Sequence, residues 1–155
     1  MKNIIVTEIS LPTKLFRSGL LRYFDRTELQ FHIPDFCYYY KYTLNDRNIH
    51  DRGFAKRMNE QGMLIIAELN EAQMLRHQEL LVQYKPKFLA KSVSALVLAE
   101  ITGFRLISED GLLREVASQD FQIRAHNKEW LLTDLVHEIG VRGIQLDLEL
   151  VKELL

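Results

Sequence analysis

Short apolar runs alternate with longer amphipathic segments along the whole chain. A continuous apolar run bounded by polar residues, glycine or proline is typical of a buried parallel strand, whereas apolar residues at three- and four-residue spacing indicate a helix. The predicted strands are residues 3–7, 29–33, 62–67, 104–107 and 121–124. The predicted helices are residues 10–24, 35–57 with a break near 44–46, 71–84, 88–102, 112–117, 130–139 and 146–155.

Several residues mark where these helices begin and end. Ser10 is predicted to cap the first helix and Pro12 to occupy its first turn, where the missing N–H has no intrahelical partner. Asn70 is predicted to cap the helix that follows the third strand, and Gly103 is predicted to end the helix over residues 88–102. Within residues 88–102 nearly every position is apolar or small, so this helix is predicted to be covered on most sides.

The alternation of strands and helices predicts the fold class. Parallel strands need crossover connections, and right-handed crossovers place helices on both faces of a sheet. We therefore expect a three-layer α/β/α sandwich on a mainly parallel sheet of four to five strands. The sequence has no linker rich in proline, glycine or serine, so one domain over residues 1–155 is expected.

Composition narrows the functional classes. The chain has 155 residues, 20 basic and 21 acidic, and this balance argues against wholesale coating of nucleic acid. Cys37 is the single cysteine, which excludes an internal disulfide, and its aromatic neighbours predict a buried, unreactive thiol. No apolar run approaches the roughly 20 residues of a membrane span, and the apolar run at residues 4–6 is too short for a signal peptide. A cytoplasmic protein without a membrane partner is expected.

Candidate chemistry follows from the predicted sheet. Ligands of open parallel sheets bind outside the carboxyl ends of the strands, which nominates residues 7–8, 34–35 and 108–110. Carboxylates meeting there would suit Mg²⁺ or Mn²⁺, which prefer oxygen ligands and activate water for phosphodiester cleavage. However, Ser108 and Asp110 at a helix entry are also ordinary capping residues, and spacing alone favours that interpretation.

Two stretches are locally basic. The first, residues 41–57, contains two acids, Asp46 and Asp51, and five basic residues, Lys41, Arg47, Arg52, Lys56 and Arg57. The second contains Lys85, Lys87 and Lys91 with no acid between them. Together with the tyrosines at positions 38, 39, 40 and 42, these side chains are suited to holding RNA phosphates and stacking unpaired bases. A solvated helix face with buried tyrosine rings explains the same pattern equally well.

The order of segments resembles the PIN domain family, many of whose members are metal-dependent ribonucleases that serve as toxins of bacterial toxin–antitoxin pairs. The resemblance is most specific in the second half of the chain and looser in the first. The segments that carry it are residues 92–100, 106–114 and 130–132, with residues 4–7, 19–21 and 33–37.

The resemblance implies four carboxylates around a divalent metal, and three of them are replaced here. The expected acids fall on Thr7, Tyr40 and Ser92, and only Asp110 remains, with Glu109 beside it. Glu8 and Asp35 are nearby carboxylates that are available to compensate. Because a hard dication is held chiefly by carboxylate charge, the resemblance implies a degenerate member of the family.

Two functions therefore remain open. The first is a non-catalytic module that binds RNA or an antitoxin-like protein in a toxin–antitoxin-like pair, without a cofactor. The second is a weakened single-stranded endoribonuclease that uses Mg²⁺ or Mn²⁺. Its catalytic residues would be Asp110, Glu109 and Glu8, with Asp110 also as metal ligand and Asp35 as auxiliary. The resemblance also implies that two copies of the chain form a homodimer.

Overall fold

A parallel β-sheet forms the centre of the molecule in the computed structural model, which describes residues 1–39 and 46–153, with side chains omitted for 46–50. Within these ranges the sheet has five strands, all parallel, in the order β3-β2-β1-β4-β5. The strands are β1 (Lys2–Val6), β2 (Leu29–Pro34), β3 (Leu64–Ala67), β4 (Arg105–Ile107) and β5 (Ala125–His126).

Helices connect the strands and cover the sheet. In the described ranges they are α1 (Ser10–Arg17), α2 (Asp35–Tyr38), α3 (Asp46–Glu60), α4 (Glu71–Tyr84), α5 (Ala90–Thr102), α6 (Gly111–Phe121), α7 (Lys128–Val141) and α8 (Leu148–Glu153). A 3₁₀ turn, Leu20–Tyr23, follows α1. The break predicted within residues 35–57 falls at 40–45, outside the described residues.

The side chains of β1 alternate between two cores. Ile4 and Val6 pack in a core with residues of α1, α3, α7 and α8, whereas Ile5 packs in a second core built from α4, α5 and α6. All three are at most 1% exposed. Because successive side chains of a strand point to opposite faces, the sheet separates two helical layers. The predicted three-layer α/β/α sandwich is confirmed.

Helix α5 is the most enclosed helix of the second core. Residues 93–99 are all buried, as predicted from their apolar and small side chains. Gly103 ends the helix with a φ of +73°, a left-handed conformation that favours glycine. Asn70 caps α4 through its side chain, which accepts from the backbone N–H of Gln73, and this prediction is also confirmed.

The first predicted helix is wrong in its length and its cap. It ends at Arg17 instead of continuing to residue 24, because Gly19 adopts a φ of +81° and turns the chain into the short 3₁₀ segment. Ile9, not Ser10, occupies the N-cap position, and no side chain caps the helix. Pro12 lies in the first turn as expected.

The last predicted strand is also misplaced. Phe121 belongs to the end of α6, and Gln122 closes that helix with a φ of +54°. The N–H of Ile123 then donates to the carbonyl of Ala117 at 2.9 Å, so the strand begins only at Ala125. The prediction failed because an apolar residue on either side of Gln122 fits a helix end as well as a strand.

Candidate anion-binding cleft

A cleft of about 470 Å³ opens at the carboxyl ends of β1 and β4. From β1 the chain proceeds through β2 to β3 on one side, whereas β4 pairs with the other side of β1. The space between β1 and β4 is therefore the point where connections diverge, the usual ligand position in such sheets. The cleft brings residues 7–8 and 108–110 together, as predicted, while residues 34 and 35 are not part of its lining.

Asp110 and Glu109 each accept hydrogen bonds from the backbone at the start of a helix. Oδ1 of Asp110 accepts from the N–H groups of Leu112 at 3.0 Å and Leu113 at 3.3 Å, capping α6. Oε1 of Glu109 accepts from the N–H of Lys128 at 2.6 Å, at the first residue of α7. The capping interpretation of Asp110 is therefore confirmed, and these acceptor oxygens satisfy N–H groups that lack a partner within their helices.

The third carboxylate of the cleft forms an ion pair. Oε1 of Glu8 lies 3.4 Å from Nζ of Lys91, and Oε2 accepts from the Ser10 hydroxyl at 3.5 Å. The Lys91 side chain is 17% exposed, whereas that of Glu8 is 64% exposed. The ammonium of Lys91 is thus held within the cleft, with Glu8 at its solvent side.

Four lysines line the cleft, against three carboxylates. Lys14 comes from α1, Lys87 from the segment before α5, Lys91 from the first turn of α5, and Lys128 from the start of α7. Lys87 and Lys91 were recognised as a basic cluster in the sequence, but Lys14 and Lys128 were not. Each is a single exposed lysine in a different helix, so no sequence pattern connects them.

Two positions where the resemblance implies metal-binding acids carry neutral hydroxyl groups in the cleft. Thr7 and Ser92 line the cleft with neutral oxygens, and Tyr40, the third replaced position, lies outside the described residues. Across the described part of the chain there is no group of three or more His, Cys, Asp or Glu side chains that would hold a metal ion. One oxygen each of Asp110 and Glu109 accepts from the backbone, and Glu8 pairs with Lys91.

Three buried polar side chains fix the first turn of α5. The Ser94 hydroxyl and the Cys37 thiol both donate to the carbonyl of Lys91, at 2.6 and 3.2 Å. Nε2 of His77 donates to the carbonyl of Ala90 at 3.0 Å, since a carbonyl only accepts. These bonds hold the backbone beneath the Lys91 side chain in one place.

Cys37 is buried, as the sequence predicted. Burial raises the pKa of its thiol to about 12, with a smaller opposing effect of the hydrogen bond with Ser94. The thiol therefore stays protonated and acts as a hydrogen-bond donor within the core, where a nucleophile would need to be ionised.

The other predicted residues lie away from this cleft. Oδ1 of Asp35 accepts from the N–H of Phe36 at 2.8 Å, in the turn that starts α2. Arg52 and Lys56 are four residues apart on α3 and share one face of the helix, whereas Arg57 lies on a different face. Lys41 lies outside the described residues.

The fold and the cleft define a doubly wound α/β protein with a lysine-lined crevice at its switch point. Comparison with protein-family models and with curated protein sequences found no match to this chain. Among the described residues, no helix combines the length and the apolar character needed to cross a membrane.

Proposed function

We propose that the chain is a PIN-like domain with a degenerate metal centre, which binds single-stranded RNA in the lysine-lined cleft and does not cleave it. The observation that carries this proposal is the division of charges in the cleft. Its carboxylates are engaged by backbone N–H groups and by Lys91. Three further lysines, Lys14, Lys87 and Lys128, are exposed and line the same cleft.

A phosphodiester strand fits this arrangement chemically. Lysine ammonium groups on flexible stems neutralise phosphates without demanding one geometry, and they come here from three helices and one connecting segment around the opening. The whole chain carries a net charge of −1, so attraction of a polyanion depends on this local concentration of lysines. The hydroxyl groups of Thr7, Ser10 and Ser92 add neutral donors to the same lining.

The binding test uses a fluorescein-labelled oligouridine in EDTA, followed by fluorescence anisotropy. The double variant Lys14→Gln/Lys128→Gln removes two cleft charges. Its matched control, Arg26→Gln/Arg124→Gln, removes two charges just before β2 and β5, at the opposite edge of the parallel sheet. We expect the cleft variant to bind more weakly and to reduce the slope of log K against log salt by about 1.4, since each phosphate contact on a single strand contributes about 0.7.

Two results would overturn RNA binding in the cleft. One is the absence of binding by the unmodified chain at low salt. The other is an equal loss of affinity in the cleft variant and in the Arg26/Arg124 control, which would show that only overall charge matters.

A separate experiment tests the ribonuclease alternative. The chain is incubated with single-stranded RNA and Mn²⁺, beside the variant Asp110→Asn. Asparagine caps a helix about as well as aspartate, so this variant removes the charge and keeps α6 intact. We expect no cleavage by either protein. Cleavage by the unmodified chain that is lost in Asp110→Asn would establish the metal-dependent enzyme instead. Binding of an antitoxin-like protein and homodimer formation remain predictions of the resemblance.

A further inference from the structure

Two arginines from different helices lie against one phenylalanine ring on the surface formed by α1 and α3. The guanidinium carbon of Arg17 is 5.6 Å from the centroid of the Phe54 ring, and that of Arg57 is 5.5 Å from the same centroid. The ring of Phe16 meets Phe54 edge-on at 6.0 Å. Both arginines are exposed, and Phe54 is half-buried. We call these three residues, Arg17, Phe54 and Arg57, the arginine–phenylalanine cluster.

The arginine–phenylalanine cluster adjoins the cleft through α1. Ser10, Leu11 and Lys14 of this helix line the cleft, and Arg17 follows Lys14 by three residues. Residues three apart are neighbours on one helix face and are separated by a rise of about 4.5 Å. Positive charge therefore continues from the cleft along α1 to Arg17, and across Phe54 to Arg57 on α3.

Two carboxylates of α3 lie within one helical turn of the arginine–phenylalanine cluster, Asp51 three residues before Phe54 and Glu60 three residues after Arg57. Oδ1 of Asp51 accepts from the hydroxyl of Thr13 at 3.1 Å, and Thr13 is fully buried between the two helices. Asp51 thus serves the α1–α3 interface. The guanidinium planes of Arg17 and Arg57 remain exposed beside the Phe54 ring, and contact with an aromatic ring favours a fixed orientation of a guanidinium.

We propose that the arginine–phenylalanine cluster is a second subsite for the strand bound in the cleft, where unpaired bases stack on the guanidinium planes and phosphates meet their N–H edges. This inference rests on the proposed function. Arginine planes and aromatic rings hold single-stranded bases in this way without demanding a particular sequence. A dinucleotide is short enough to occupy the cleft alone, whereas a longer strand also reaches the cluster.

The test compares two lengths of labelled oligouridine, about two and about twelve nucleotides, by anisotropy in EDTA. We expect Arg17→Gln and Arg57→Gln each to weaken binding of the longer strand by about fivefold or more, and binding of the shorter strand by less than about twofold. The matched control is Arg26→Gln, which removes the same charge at an exposed position just before β2, at the opposite edge of the sheet from the cleft. It is expected to leave both affinities nearly unchanged.

The two proposals fail in distinguishable ways. If neither strand binds, or if binding ignores Lys14 and Lys128, the proposed function is wrong. If the short strand binds through these lysines but Arg17→Gln and Arg57→Gln affect both lengths equally, or Arg26→Gln matches Arg57→Gln, only the second subsite is wrong. A strand of equal length that lacks bases provides a further check, because equally tight binding of it would exclude stacking. Circular dichroism of each variant verifies that the fold is retained.

Discussion

Nζ of Lys91 lies 3.4 Å from Oε1 of Glu8, which joins the start of α5 to the segment that follows β1. Both residues are direct neighbours of positions where the resemblance expects metal-binding acids, since Glu8 follows Thr7 and Lys91 precedes Ser92. A lysine ammonium is thus fixed at the opening where a metal-dependent nuclease of this family would hold a dication. Its charge suits the same phosphates without a metal.

Glu8→Gln is expected to strengthen RNA binding by about two- to fivefold, because it removes a negative charge from the mouth of the cleft. Lys91→Gln is expected to weaken binding and to lower the salt slope by about 0.7. Anisotropy titrations over a series of salt concentrations measure both effects. Weaker binding by Glu8→Gln would mean that the carboxylate is needed to position Lys91.

Asp110 is expected to contribute to stability as a helix cap. Asp110→Ala removes the oxygen that accepts from Leu112 and Leu113, and should lower the free energy of unfolding by about 1 kcal/mol. Asp110→Asn should lower it by much less, because its amide oxygen accepts the same bonds. Urea unfolding followed by circular dichroism makes the comparison. Equal losses in the two variants would indicate that the charge matters more than the cap.

His126 is expected to titrate below the usual range of a histidine. Its ring stacks on Trp130 with centroids 3.9 Å apart, and its Nε2 accepts from Arg105 at 3.0 Å. Burial, and then the charges of Arg105 and Arg124, lower the pKa of His126. Trp130 is the single tryptophan, and a protonated imidazole quenches indole fluorescence, so emission should fall with a midpoint below pH 6.5. Arg105→Gln should move this midpoint upward.

The same titration affects stability in a defined direction. The pKa of His126 is lower in the folded chain than in the unfolded chain, so the unfolded state binds more protons as the pH falls. The contribution of His126 to the free energy of unfolding is complete above about pH 6.5, the pKa of histidine in the unfolded chain. It is lost as the pH falls from there through the lower pKa of the folded chain. Burial lowers the pKa of His32 as well, and this acts in the same sense. A smaller loss of stability between pH 7 and pH 5 in His126→Gln/His32→Gln than in the unmodified chain would agree with this sign.

Cys37 is expected to resist thiol reagents in the native state. With a pKa of about 12 its thiolate fraction at pH 8 is on the order of one in ten thousand, and the side chain is only 6% exposed. Labelling with a chromogenic disulfide should be slow in buffer and rapid in denaturing urea. Rapid, stoichiometric labelling of the native chain would contradict the buried position.

Most of the fold follows from the sequence, but the composition of the cleft does not. The apolar run of α5 and the β-branched run of β1 leave little choice of environment, and the ends of β1 and β4 locate the cleft once the sheet is parallel. In contrast, Lys14 and Lys128 are ordinary exposed lysines whose meeting depends on tertiary structure. Glutamine at a positive φ, as at Gln122, has no sequence signature either, and this displaced the predicted last strand.

The cleft lysines span positions 14 to 128 of the chain, and residues 7–104 separate β1 from β4, the two strands whose ends form the opening. No local segment therefore contains the site, and it forms only when the distant halves of the sheet have paired. A ligand held there is coupled to global folding. Binding of this ligand should slow amide hydrogen exchange in β1 and β4 together, even though none of the cleft lysines belongs to either strand.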